Sequence, residues 1–108
     1  MRMLMKVMIP GAEGNAAIVK GTLGSTIGAI LADIKPESAY FLEENGLRTG
    51  MIVFDLAKTS DIPAIAEPWF LAFNARVELH PTMTLEDLKN SAPGMESAVQ
   101  KYASPGRK

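Results

Sequence analysis

Arg76, Glu78 and His80 alternate along the segment Ala75-Arg-Val-Glu-Leu-His80, immediately before Pro81. Successive side chains of a β-strand point to opposite faces, so this spacing puts the three on one face and Val77 and Leu79 on the other. His80 is the only histidine of the chain, and an imidazole is the side chain best suited to general acid or base work near neutral pH. Glu78 is placed to orient or charge that ring, and Arg76 to hold an anionic substrate or a developing oxyanion. A competing reading gives the same residues a structural task, as an interstrand charge pair and a strand-end histidine before a proline.

The elements that must position them are legible around the trio. Ile62, Ile65, Ala66, Trp69, Phe70 and Phe73 recur at helical spacing, and the period then changes to the alternation of Ala75 to His80. A helix therefore feeds directly into a half-buried strand, with Trp69, Phe70 and Phe73 assigned to the core. Ser60 or Asp61 is the expected N-cap, with Pro63 tolerated in the first turn. Pro68, inside the helix, predicts a kink or a split into two short turns.

Upstream, Met3, Met5, Val7 and Ile9 alternate with Arg2, Leu4, Lys6 and Met8, which predicts a first strand ended by Pro10-Gly11. One apolar helical stripe runs from about Gly14 to Ile34 and closes at Lys35-Pro36. Gly21, Gly24 and Gly28 weaken it, or let another element approach closely. Ser38 to Glu44 and Leu47 to Leu56 read as two strands joined by the hairpin turn Asn45-Gly46. Downstream, Thr84-Leu-Glu-Asp87 predicts a capped short helix, Ser91-Ala-Pro-Gly94 a break, and Met95, Ala98, Val99 and Tyr102 a last amphipathic turn or two.

The order is strand, helix, strand, strand, helix, strand: the ferredoxin-like βαββαβ arrangement, α+β, with both long helices on one face of a four-stranded antiparallel sheet. Residues 1–83 form this domain, and residues 84–108 are expected to pack on it as a C-terminal helical extension. The sheet face left by the helices should carry Leu4, Lys6, Met8, Met51, Val53 and Asp55 beside Arg76, Glu78 and His80. In the second strand the parity stays open, between Tyr40 and Leu42 or Phe41 and Glu43. A face half apolar and half charged reads as a homodimer interface enclosing a cavity, with Lys6, Tyr40 and Met51 as ligand-binding candidates.

Composition narrows the function classes. The chain has 108 residues, 47% of them hydrophobic, and a net charge of −1, which argues for one globular domain and against a nucleic-acid binder. With no cysteine there is neither a disulfide nor a thiolate site, and one histidine without an acidic cluster argues against a protein-built metal site. No apolar run reaches the roughly 20 residues of a membrane span, and Met1 to Pro10 is too short and too charged for a signal peptide, so a cytoplasmic protein is expected. Gly21-Thr-Leu-Gly24-Ser-Thr26 lacks the lysine of a phosphate-binding loop and sits inside a helical stripe. No cofactor is called for.

From Met1 to about Met83 the element order, the length and the mixed open face resemble the dimeric α+β-barrel group, in which two ferredoxin-like sheets pack face to face. The segment I-P-A-I-A-E-P-W-F-L-A-F-N-A-R-V-E-L-H-P is also similar to one in small bacterial proteins of this type that have no assigned activity. The group includes cofactor-free monooxygenases of the antibiotic-biosynthesis type and muconolactone-isomerase-like proteins. The resemblance implies a fold and a dimer; no catalytic motif of a named member matches residue by residue. Three expectations follow. The first is a homodimer holding an apolar or weakly acidic small molecule in its barrel. The second is a cofactor-independent monooxygenase- or isomerase-like enzyme, with His80 as base, Arg76 as anion holder and Tyr40 as donor. The third is a dimerisation module with no ligand.

Overall fold

Strand β1 (Arg2–Ile9) is the spine of the sheet, and its alternation survives intact: Met3, Met5, Val7 and Ile9 are buried. The computed structural model of the chain describes residues 1–103. β1 is followed by helices α1 (Gly11–Lys20) and α2 (Leu23–Ile34), the hairpin β2 (Ser38–Glu44) and β3 (Leu47–Asp55), helix α3 (Ile62–Phe73), β4 (Arg76–Pro81), and two C-terminal helices, α4 (Leu85–Asn90) and α5 (Ala92–Tyr102). The four strands pair antiparallel in the order β2-β3-β1-β4. This α+β architecture is compatible with the ferredoxin-like arrangement expected from the element order.

The register fixes both faces. Met5 lies opposite Ile52 and Leu79, and Met3 opposite Phe54, so these side chains share the face on which the helices pack. Trp69, Phe54, Met5, Ile52 and Val7 are its most fully buried side chains, with Ala17, Ile30 and Phe73 closing the core from α1, α2 and α3. Burying a residue of this kind contributes roughly 1.5–3 kcal/mol, which makes this face the source of the fold's stability.

The hairpin turns at Asn45 and Gly46, both at positive φ (55° and 78°), as a two-residue primed turn requires. Glu43 reinforces it by accepting a hydrogen bond from the Gly46 amide at 3.1 Å. At the junction of α3 and β4, Asn74 adopts φ 52°. The Asn74 amide donates to Phe70 O and the Ala75 amide to Trp69 O, a closure that ends a helix within two residues. This is how Trp69 comes to face the core while Arg76, seven residues on, opens the strand on the other side.

Four expectations need correction. Phe70, assigned to the core with Trp69 and Phe73, is 42% exposed. The stripe from Gly14 to Ile34 is two helices rather than one, bent by 104°. Gly21, at φ 72°, ends α1 with its amide on Ile18 O and the Thr22 amide on Ala17 O, while Gly24 and Gly28 face open space and admit no neighbour. Of the two outcomes expected at Pro68 the split does not occur, since helix α3 runs from Ile62 to Phe73 through it; Ala66, Trp69 and Phe73, all buried, hold both of its halves against the core. Finally, the described part of the C-terminal extension, up to Ala103, does not pack on the domain. Every residue from Met83 to Ala103 except Ser91 is exposed, and the described chain extends over 64 Å with a radius of gyration of 18.8 Å, against about 13 Å for a compact domain of this size. The rest of that extension, 104–108, lies outside the described residues. The α4 capping box is present, and α5 absorbs Pro93 and Gly94 into its first turn, so the break falls at Ser91.

Candidate functional site

The face opposite the helices is laid out in rows by the strand register. One row runs Tyr40, Met51, Lys6, Glu78; the next on one side runs Leu42, Thr49, Met8, Arg76; the next on the other runs Ser38, Val53, Leu4, His80. This decides the parity of β2: Tyr40 and Leu42 belong to the open face, Phe41 and Glu43 to the helix face. Leu4, Met8, Met51 and Val53 are half-buried at its centre, while Tyr40 and Leu42 are exposed at its edge.

Arg76, Glu78 and His80 form one cluster along β4. One carboxylate oxygen of Glu78 lies 3.3 Å from His80 Nε2, and the other 3.5 Å from Arg76 Nε. Glu78 pairs along its own strand rather than across strands, because Lys6, directly opposite, instead meets Glu44 at the end of β2. With Nε2 against the carboxylate, Nδ1 is the ring nitrogen left to exchange a proton with a ligand. The side chains of Arg76 and His80 are 76% and 56% exposed, and ion pairs so open to water contribute about 0–1 kcal/mol. The cluster is therefore a charged, hydrated patch whose strength depends on what covers it.

The structure brings together the catalytic candidates but not Tyr40. Tyr40 sits on edge strand β2 and the trio on edge strand β4, three strand spacings or about 14 Å apart at ~4.8 Å per spacing. Within one chain the expected donor cannot reach a substrate held at His80. Lys6 and Met51, between them, form the floor of the row. Among the described residues no three His, Asp or Glu side chains converge as metal ligands, and no single helix is long and apolar enough to cross a membrane.

Sequence reasoning missed a second feature, on the helix side of the sheet. A cavity of about 400 Å³ lies between the sheet and α2, lined by Val7, Ile9, Leu23, Ile27, Phe41 and Trp69 among others. Its one sequence signal is Gly50, which interrupts the large residues of β3 on the face occupied by Ile52 and Phe54. No protein-family model matches the chain, and no curated protein sequence does either.

Proposed function

We propose that the protein is a cytoplasmic homodimer, closed through the open sheet face into an α+β barrel, that binds an apolar or weakly acidic small molecule between its two sheets. The observation that carries this reading is the open face itself: Leu4, Met8, Met51 and Val53 remain half-buried and Leu42 and Tyr40 exposed, next to the paired charges of Lys6 with Glu44 and of Arg76 and His80 with Glu78. An apolar centre with a charged margin fits a second copy of the same face better than it fits water. The C-terminal arm supports a partner as well, since Leu85, Leu88, Met95 and Val99 are all at least 44% exposed.

A two-fold axis parallel to the strands would lay β2 of one copy over β4 of the other, with the sheets about 10 Å apart. Tyr40 of the second copy then stands over Glu78 of the first, and the donor missing from the single chain is supplied across the interface. Lys6, Arg76 and His80 give the enclosed space its anion-accepting side. The test is sedimentation of the wild type and of Met51→Lys. The wild type should be a dimer at micromolar concentration, and the variant a folded monomer with unchanged circular dichroism. A wild type that stays monomeric at millimolar concentration sinks the proposal.

The contact between Glu78 and His80 favours a second reading, a cofactor-independent enzyme in which the carboxylate orients the imidazole as general base. In the absence of a known substrate, a crystal structure of protein purified without added ligand is the direct test. Density against Lys6, Arg76 and His80 would supply the substrate class, and turnover lost in His80→Ala but kept in Lys6→Ala would separate catalysis from binding.

A further inference from the structure

The sheet has two edge strands, β2 and β4, and they are built differently. β4 carries Arg76, Glu78 and His80 and ends at Pro81, the charges and proline with which proteins block unwanted strand pairing. From Ser38 to Leu42, β2 has no charged residue and no proline. It pairs residue for residue with β3 from Ser38 to Glu44, so no bulge turns it away. Tyr40, Phe41 and Leu42, at its centre, are 71%, 54% and 42% exposed.

The turn decides which backbone groups of β2 are left over. A two-residue primed turn makes its flanking residues, Glu44 and Leu47, a hydrogen-bonded pair. Alternation then commits Leu42 and Tyr40 to β3 and aims the amides and carbonyls of Ala39, Phe41 and Glu43 outward. The edge thus presents a row of donors and acceptors between exposed apolar side chains.

We propose that β2 is an interaction surface whose partner is β2 of a second copy of this chain, antiparallel, with Phe41 opposite Phe41 of the other copy. This register joins the outward groups of Ala39, Phe41 and Glu43 in reciprocal hydrogen-bonded pairs and sets Tyr40 beside Leu42, twice by symmetry. Charge favours the same occupant. Glu43 makes no ion pair among the described residues, because its cross-strand neighbour Arg48 turns to Asn15 instead. Antiparallel pairing brings this acidic end to the end of the other strand preceded by the exposed Lys35, and sets Glu43 against Ala39. A parallel copy would set glutamate against glutamate. One strand pair buries little area, which suits a contact formed at millimolar rather than micromolar concentration. It is separate from the open-face dimer and goes beyond it.

The test uses Met51→Lys, which removes the open-face contact and leaves the β2 edge intact, so the result is independent of that dimer. As the ¹⁵N-labelled protein is raised from micromolar to millimolar concentration, its rotational correlation time should rise toward that of a dimer. Amide exchange at Ala39, Phe41 and Glu43 should slow in parallel, while Tyr40 and Leu42 exchange slowly throughout. Phe41→Lys and Phe41→Glu, each added to this background, set a charge against its own copy and should remain monomeric at millimolar concentration. An equal mixture of the two should pair. The proposal is overturned if Met51→Lys stays monomeric at millimolar concentration with the three amides in fast exchange, a result that needs no further variant. It is overturned equally if Phe41→Lys pairs as well as its parent, or if the two charged chains, both folded, do not pair when mixed.

Discussion

The two faces of the sheet are made from the same strands and yet behave as different materials. On the helix side, Met5, Ile52 and Phe54 are at most 2% exposed and a tryptophan is sealed away with its N–H unpaired. On the other side, their immediate neighbours Lys6, Val53 and Asp55 range from half-buried to exposed, and the polar groups satisfy one another in water. The first face carries stability and tolerates an orphaned donor only at a cost of about 1–3 kcal/mol. The second contributes little to the single chain and is free to be shaped by whatever covers it. A one-residue shift in register would exchange the two, so the alternation in β1 fixes which face carries the stability and which stays open.

The sharpest test of that division uses adjacent residues. Phe54→Ala should cost about 3–5 kcal/mol in urea unfolding, as a large buried side chain removed from a packed core. Val53→Ala, one residue away on the other face, should cost about 1 kcal/mol or less at concentrations where the chain is monomeric. Equal costs would mean that the open face is already covered within one chain. A smaller effect concerns how the helices reach the covered face. Gly21→Ala forces an L side chain into φ 72°, at about 1 kcal/mol, and should lower the melting temperature while leaving Asn45-Gly46 and the hairpin unaffected by hydrogen exchange.

Much of this organisation could be read from residue order. The alternation of β1, the Asn45-Gly46 turn and the change of period after Phe73 are local signals; each placed its elements, and the first and last placed the face as well. The bend at Gly21 was hidden because the apolar stripe continues across it: Ala16 and Val19 fall on the stripe but are exposed. The face of β2 was undecidable for a related reason. Tyr40, Phe41 and Leu42 are all apolar in an edge strand where none is buried, so alternation carries no information. Trp69 was placed correctly in the core, but whether its N–H is satisfied depends on neighbours from β1, β2, α2 and β3, which no local pattern encodes. The amphipathic arm was legible as helices and illegible as to what it packs on.

The arm offers the next comparison, because it is the other surface left open. Its first helix rests on a reciprocal cap: the Asp87 amide donates to Thr84 Oγ1 at 3.1 Å and the Thr84 amide to an Asp87 carboxylate oxygen at 3.0 Å. These bonds to Thr84 hold the Asp87 carboxyl below its ordinary value of 3.8. A depressed folded-state value means that the cap stabilises α4 above the unfolded value, and that this contribution disappears as pH falls below about 4. Thr84→Ala removes the Oγ1 that accepts from the Asp87 amide, leaves the backbone half of the cap, and should cost about 1 kcal/mol of helix at neutral pH. If the arm docks on a second copy, this variant weakens the dimer without touching the stability of the core; if it does not, only the helical signal falls.

The smallest expected effect is at His80. Its ring is exposed, touches Glu78 at 3.3 Å and lies opposite Leu4 in the register, and Glu78 keeps Arg76 as a partner when the imidazole is gone. His80→Ala should therefore change the unfolding free energy by less than about 0.5 kcal/mol and leave the sedimentation coefficient unchanged. Either result failing would show that His80 is packed by the second copy and serves the interface, and the open face would lose its only candidate base. If both hold, the histidine is dispensable to the fold and to self-association, and its exposed ring stays open to a ligand on that face.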